Sequence, residues 1–103
     1  MIQSNQPNVY ESIYLVVAQI PIGYVTSYGR IANMIPGSSA RLVARAMSQI
    51  PDDSTIPWYR VVSSTLKIAK FPGSDRQRVK LISEGVKISE GLKINPSHLW
   101  KPG

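Results

Sequence analysis

A mainly helical fold with a small β wing is the fold class this sequence predicts, and three observations predict it. Apolar residues recur at three- and four-residue steps in several short runs. Proline–glycine punctuation (Pro21 with Gly23, Pro36-Gly37) cuts those runs to helical lengths. The β-branched stretch Arg60-Val61-Val62 is short. At 103 residues and 43% apolar, the chain suits one domain over residues 1–103 with one modest core.

The elements follow in order. Pro7-Asn8 opens a first helix whose apolar face is Val9, Ile13, Val16, Val17 and Ile20, and Pro21 with Gly23 ends it. Gly23-Tyr24-Val25-Thr26 reads as an extended link. Thr26 or Ser27 caps a second helix over Tyr28–Met34, with Ile31, Ala32 and Ile35 inward. Pro36-Gly37 breaks it, and Ser38-Ser39 caps a third helix from Ala40 to about Gln49. Val43, Ala46, Met47 and Ile50 make its buried stripe, with Arg41, Ala44, Arg45 and Ser48 on another face. Two short helices with arginines on the second suggest a helix-turn-helix. Residues 66–68 are expected to pair with residues 60–62 across Ser63-Ser64-Thr65, forming the wing. Phe71-Pro72-Gly73-Ser74 reads as a loop. Ser74 or Asp75 caps a last helix to about Glu84, with Val79, Leu81 and Ile82 as apolar contacts and Gly85 as its stop. Residues 86–103 are expected to be a short extended tail, with Leu99 and Trp100 docked on the body.

Composition removes several chemistries. The chain has no cysteine, hence no disulfide, thiolate or thiolate-bound metal. One histidine, His98, excludes a multi-histidine zinc site and weakens any triad. Six carboxylates include one adjacent pair, Asp52-Asp53, in a stretch that reads as a turn. No cofactor or metal is expected. The net charge of +6 favours a polyanionic partner. Its distribution is more telling. Residues 12–51 hold no acid but include Arg30, Arg41 and Arg45. Arg60, Lys67, Lys70, Arg76, Arg78 and Lys80 follow, interrupted only by Asp75. The polar N-terminus lacks a basic leader, and the apolar run near residues 14–22 is broken by Gln19 and Pro21. A soluble, intracellular protein without membrane contact is expected, cytoplasmic or at the nucleoid in a bacterium, nuclear in a eukaryote.

Three segments, in order, resemble the O6-alkylguanine-DNA alkyltransferases. Val25-Thr26-Ser27-Tyr28-Gly29-Arg30-Ile31-Ala32 looks like that family's Val-x-Ser-Tyr segment. Ser39-Ala40-Arg41-Leu42-Val43-Ala44-Arg45-Ala46-Met47 resembles its recognition helix. Ile56-Pro57-Trp58-Tyr59-Arg60-Val61-Val62 is similar to Pro-Cys-His-Arg-Val-Val, with Leu81-Ile82-Ser83-Glu84-Gly85-Val86 downstream. Trp58 stands where the family's alkyl-accepting cysteine would be. That exchange resembles the alkyltransferase-like branch, which binds O6-alkylguanine in DNA without repairing it and is implicated in flagging it for nucleotide excision repair.

The resemblance implies a winged helix-turn-helix of the alkyltransferase C-terminal-domain type, acting as a monomer on duplex DNA carrying O6-alkylguanine. Tyr28 would help rotate the nucleotide out of the stack; the plainer reading is a half-buried tyrosine with its hydroxyl bonded. Arg41 would fill the gap, a task suited to a planar fork of donors. Leu42 would press into the minor groove, and Arg45 would meet a phosphate. Trp58 would wall the lesion pocket with Tyr59, Lys70, Phe71 and Ser74. Either Lys70 as a cation or Phe71 as a second stacking face would cover the guanine. Tyr59 replaces the histidine that serves the thiol, and Glu84 is expected to be structural, bonded to Tyr59 or Arg60. Ile50 takes the place of the asparagine that usually follows the recognition helix. Two rival readings stand: an enzyme of different chemistry, such as a glycosylase or lysine-nucleophile transferase using Lys70 or Glu84, and a general or sequence-reading winged-helix DNA binder.

Overall fold

A computed structural model describes residues 8–51, 53–68 and 74–102. Three helices form its first half. In α1 (Val9–Val17) the Asn8 side chain accepts the Glu11 N–H at 2.9 Å, and Ile13 and Val17 are buried. Ser27 caps α2 (Tyr28–Met34) by accepting the Arg30 N–H at 3.1 Å. Ser39 caps α3 (Ala40–Ser48) by accepting the Leu42 N–H at 3.1 Å. Each cap satisfies an amide that the helix itself leaves unpaired, for about 1 kcal/mol. Between α2 and α3, Gly37 takes φ +82°, a conformation that favours glycine. The helices close over Ile13, Val17, Ile20, Ile31, Ile35, Val43, Ala46 and Met47, with Val61 added from the second half.

A two-stranded parallel sheet joins the halves. Strand β1 (Thr26–Ser27) pairs with β2 (Val61–Val62), with Thr26 opposite Val61 and Ser27 opposite Val62. This corrects the expected hairpin of residues 60–62 with 66–68. Both valines of β2 are buried, so the strand belongs inside the fold; a hairpin with one wet face would expose alternate residues. At Ser63 the chain turns away. Its carbonyl accepts the Leu66 N–H at 2.9 Å, and Leu66 adopts φ +58°. Residues 66–68 then pair with residues 92–94. Ile68 N–H donates to Leu92 O at 2.9 Å, Ile94 N–H donates to Leu66 O at 2.7 Å, and Lys67 stands opposite Lys93. The expected extended tail is therefore largely a folded ladder, with Ile88 opposite Ile94 and Leu99 beside Val25.

Helix α4 (Ser74–Ser83) turns Gln77 and Leu81 inward, one turn apart. Val79 and Ile82, expected inside, are 59% and 49% exposed. They fall on the opposite side of the helix from the Gln77–Leu81 stripe. Gly85, at φ +87°, ends α4: Val86 N–H reaches Leu81 O at 3.0 Å and Gly85 N–H reaches Ile82 O at 2.9 Å, the Schellman pattern. Leu81 and Val86 join Val25, Val62, Ile68 and Ile94 in a second apolar cluster. Side chains alternate along a strand, so β2 sends Val61 to the first cluster and Val62 to the second. Among the described residues no helix is long and apolar enough to cross a membrane.

Candidate functional site

Position 58 is set by a turn. Pro57 has φ −81° and ψ 67°, and the Trp58 N–H donates to Ile56 O at 2.8 Å, the geometry of an inverse γ-turn. A single 3-10 turn follows (Trp58–Arg60) and leads straight into β2. Trp58 is half-buried against the helical cluster, where Tyr28 and Leu42 also pack. Three residues expected at the site thus rest on one core. The Tyr59 ring meets Trp58 edge-on, with centroids 5.7 Å apart and planes at 86°.

Arg60 and Glu84 hold this turn from behind. Arg60 Nε donates to Glu84 Oε1 at 2.9 Å, and Arg60 Nη2 donates to Glu84 Oε2. Arg60 Nη1 also donates to the Ile20 carbonyl at 2.8 Å, beyond the end of α1. The Tyr59 hydroxyl donates to Glu84 Oε2 at 2.9 Å, and the Gly23 N–H to Oε1 at 3.4 Å. Glu84 is therefore bonded to both partners the sequence offered as alternatives. Burial pushes its carboxyl upward, but hydrogen bonds from Arg60, Tyr59 and Gly23 outweigh that and hold it below the usual carboxylate range. Burial, then the bond to Glu84, pushes the Tyr59 phenol above its ordinary value despite nearby Arg60. Arg60 is raised by its bond to Glu84, against the cost of burial. These groups form a fixed, charged frame with no labile proton near neutral pH. The Arg60 guanidinium carbon and Lys80 Nζ each lie 5.3 Å from the Tyr59 ring centroid.

The other expected residues sit on the helices. Tyr28 opens α2 half-buried, and burial raises its phenol, so the hydroxyl keeps its proton. Among the described residues no hydrogen bond to that hydroxyl is found. Arg41 and Arg45 are exposed one turn apart on α3, and neither forms an ion pair among the described residues. Leu42 and Ile50 are half-buried on the helical cluster. Lys70 and Phe71 lie outside the described residues, and Ser74 is described only as the first residue of α4. Among the described residues no group of three or more candidate ligands could hold a metal.

Sequence reasoning missed two supporting residues. Gln77 is buried and its amide donates to the carbonyls of Tyr59 and Val61, both at 3.2 Å, tying α4 to the turn and to β2. The available signal was a polar residue four before Leu81 on the inward stripe. His98 joins Gly23 O, 2.9 Å from Nδ1, to the Lys87 N–H, 3.0 Å from Nε2. No sequence signal pointed to that.

A helix pair bearing exposed arginines, beside a Pro-Trp-Tyr-Arg turn locked by a distant glutamate in a chain without cysteine, points to a nucleic-acid-binding class. The DNA-binding domain of 6-O-methylguanine DNA methyltransferase matches residues 8–86, and the chain belongs to that family, on its alkyltransferase-like side. It is 44% identical over 94 residues to a DNA base-flipping protein of Vibrio parahaemolyticus, covering 87% of this chain and 93% of the relative. It is 37% identical over 102 residues to alkyltransferase-like protein 1 of Schizosaccharomyces pombe, covering 90% and 94%. Its fold is similar to S. pombe Atl1 solved with damaged DNA containing O6-carboxymethylguanine, at TM-score 0.85 and 35% identity over 96% of this chain and all of that one. Mycobacterium tuberculosis O6-methylguanine methyltransferase matches at TM-score 0.64 and 29% identity, over 78% of this chain and 50% of that one.

Proposed function

We propose that this chain is a non-enzymatic sensor of O6-alkylguanine in duplex DNA, acting as a monomeric single domain that flips the damaged nucleotide and marks it for nucleotide excision repair. One observation carries the reading: tryptophan replaces the nucleophile on a turn whose Arg60–Glu84 frame is intact. The relatives support it, since one is a base-flipping protein and Atl1 was solved on DNA containing an alkylated guanine.

In this reading α2 and α3 act as a helix-turn-helix, the ladder of residues 66–68 with 92–94 is the wing, and α3 enters the minor groove. Tyr28 displaces a phosphate as the nucleotide rotates, Arg41 takes its place in the stack, Leu42 fills the groove and Arg45 meets the backbone. Flipping costs a few kcal/mol, least where pairing is already weak. Stacking on Trp58, with Tyr59 at its edge, returns roughly 1–3 kcal/mol. Lys70 or Phe71, with Ser74, completes the pocket.

The test is binding to a fluorescent duplex with and without one O6-methylguanine. The sensor binds the lesion more tightly, and Arg41→Ala and Trp58→Ala reduce that preference more than Arg78→Ala, which lowers the salt dependence of all binding. Equal affinity for both duplexes leaves a general winged-helix DNA binder. Abasic sites or alkylated protein in mass spectra after incubation point to an enzyme instead.

A further inference from the structure

We propose that residues 87–100 form a positioning strap for the lesion site, tying residues 66–68, which follow β2, to the strand that delivers Tyr28 and to the frame behind Trp58. The inference rests on the damage-binding reading and extends it beyond residues 8–86, the span of the family match.

The strap makes three attachments. The first is the ladder at residues 66–68, where Ile68 N–H and Leu66 O pair with Leu92 and Ile94. Ile68 packs in one cluster with Val62 of β2, the strand that continues from the Trp58 turn. The second lies at Val25, three residues before Tyr28. Val25 N–H donates to His98 O at 2.9 Å, and Trp100 N–H donates to Val25 O at 2.7 Å. The third is the His98 ring. An amide donating to Nε2 places the neutral ring's proton on Nδ1, which donates to Gly23 O. Gly23 N–H in turn reaches Glu84, so the strap also touches the frame behind Trp58. The Trp100 side chain packs on the helical cluster that carries Tyr28 and Trp58.

Backbone strain points to the same junction. Leu66 (φ +58°) and Leu92 (φ +63°) are the non-glycine residues with left-handed backbone among those described. Both supply carbonyls to the ladder and both pack on the second cluster. Such strain persists where the surroundings over-determine a conformation, and it concentrates at functional sites. Cross-strand attraction does not explain the pairing, because the opposed side chains are Lys67 and Lys93, a like-charged pair. The ladder is held by its main-chain bonds and by the anchors at His98 and Trp100.

The chain lacks cysteine, so Lys67→Cys with Lys93→Cys introduces a unique pair. These positions form a non-hydrogen-bonded antiparallel pair, whose close approach suits a disulfide. Affinities for an O6-methylguanine duplex and its undamaged counterpart are measured with thermal melts. Trp100→Ala is expected to lower the lesion-to-undamaged affinity ratio on the order of fivefold, with undamaged binding little changed. His98→Ala gives a smaller loss in the same direction and serves if Trp100→Ala does not fold. Oxidising the cysteine pair in the weakened background restores the ratio, and reducing it removes the gain. An unchanged ratio in both variants overturns the strap, as does an equal fall in both affinities without recovery on oxidation. A parent chain that binds both duplexes equally overturns the damage-binding reading itself, and the strap with it.

Discussion

The helical cluster and the Val62 cluster are of similar apolar character but are held in different ways. Around Val43 and Ile31, three capped helices contribute stripes of neighbouring residues, and each helix satisfies its own amides. Around Val62, single residues arrive from Val25, Ile68, Leu81, Val86 and Ile94, and the backbones of Val25, Ile68 and Ile94 bond across long stretches of chain. Polar side chains bridge the gaps there: Glu84, Arg60, Gln77 and His98 each tie distant segments together. Losing a methyl group weakens the first region locally, whereas losing one polar atom in the second strands its partner in a dry setting.

Glu84→Ala probes that contrast with the largest expected effect. The side chains of Arg60 and Glu84 are only 10% and 11% exposed, so removing the carboxylate leaves a guanidinium nearly buried and unpaired. The expected cost is about 3 kcal/mol in urea denaturation. The pH dependence has a definite sign. Glu84 is lowered in the fold, so its contribution is complete above the unfolded value near about pH 4.3 and is lost as pH falls through the lower folded value. Melting temperature in the parent should drop through that acid range, and Glu84→Gln should flatten this part of the curve.

On the helical side, Ser39→Ala removes one cap and should cost about 1 kcal/mol by the same assay. An effect as large as that of Glu84→Ala would mean that the two regions do not differ as argued. Ile82→Ala is the smallest change. Its side chain is half exposed on the outer face of α4, and stability should move within about 0.5 kcal/mol. A loss above about 2 kcal/mol would place Ile82 in a contact absent from this fold.

How much could be read from the sequence follows the same division. Helix signals are local. Ser27 and Ser39 cap where expected, the first helix opens after Asn8, and α2 spans the predicted residues, because a cap and a 3.6-residue repeat lie within one window. Strand partners are not local. Nothing near Val61-Val62 specifies Thr26-Ser27 as partner in place of residues 66–68, so the hairpin expected from neighbouring segments does not form. On α4 the apolar letters at Val79 and Ile82 misled, because the inward stripe contains the polar Gln77. At the site, Trp58, Arg60 and Glu84 were legible as a motif, and the structure added the atoms that join them. His98 was illegible because both of its partners are backbone groups, which leave no mark in side-chain pattern.

The pairing of Thr26 with Val61 has a consequence for chain entropy. Two residues per strand are too few for a sheet to form by itself, and joining positions so far apart normally costs the freedom of the whole intervening loop. Here about half of that loop is α2 and α3, folded onto each other as a compact helical hairpin. The length that the helices leave to be closed is about half of the whole. A strand of two residues can therefore persist in this small protein because the packed helices hold its ends near each other.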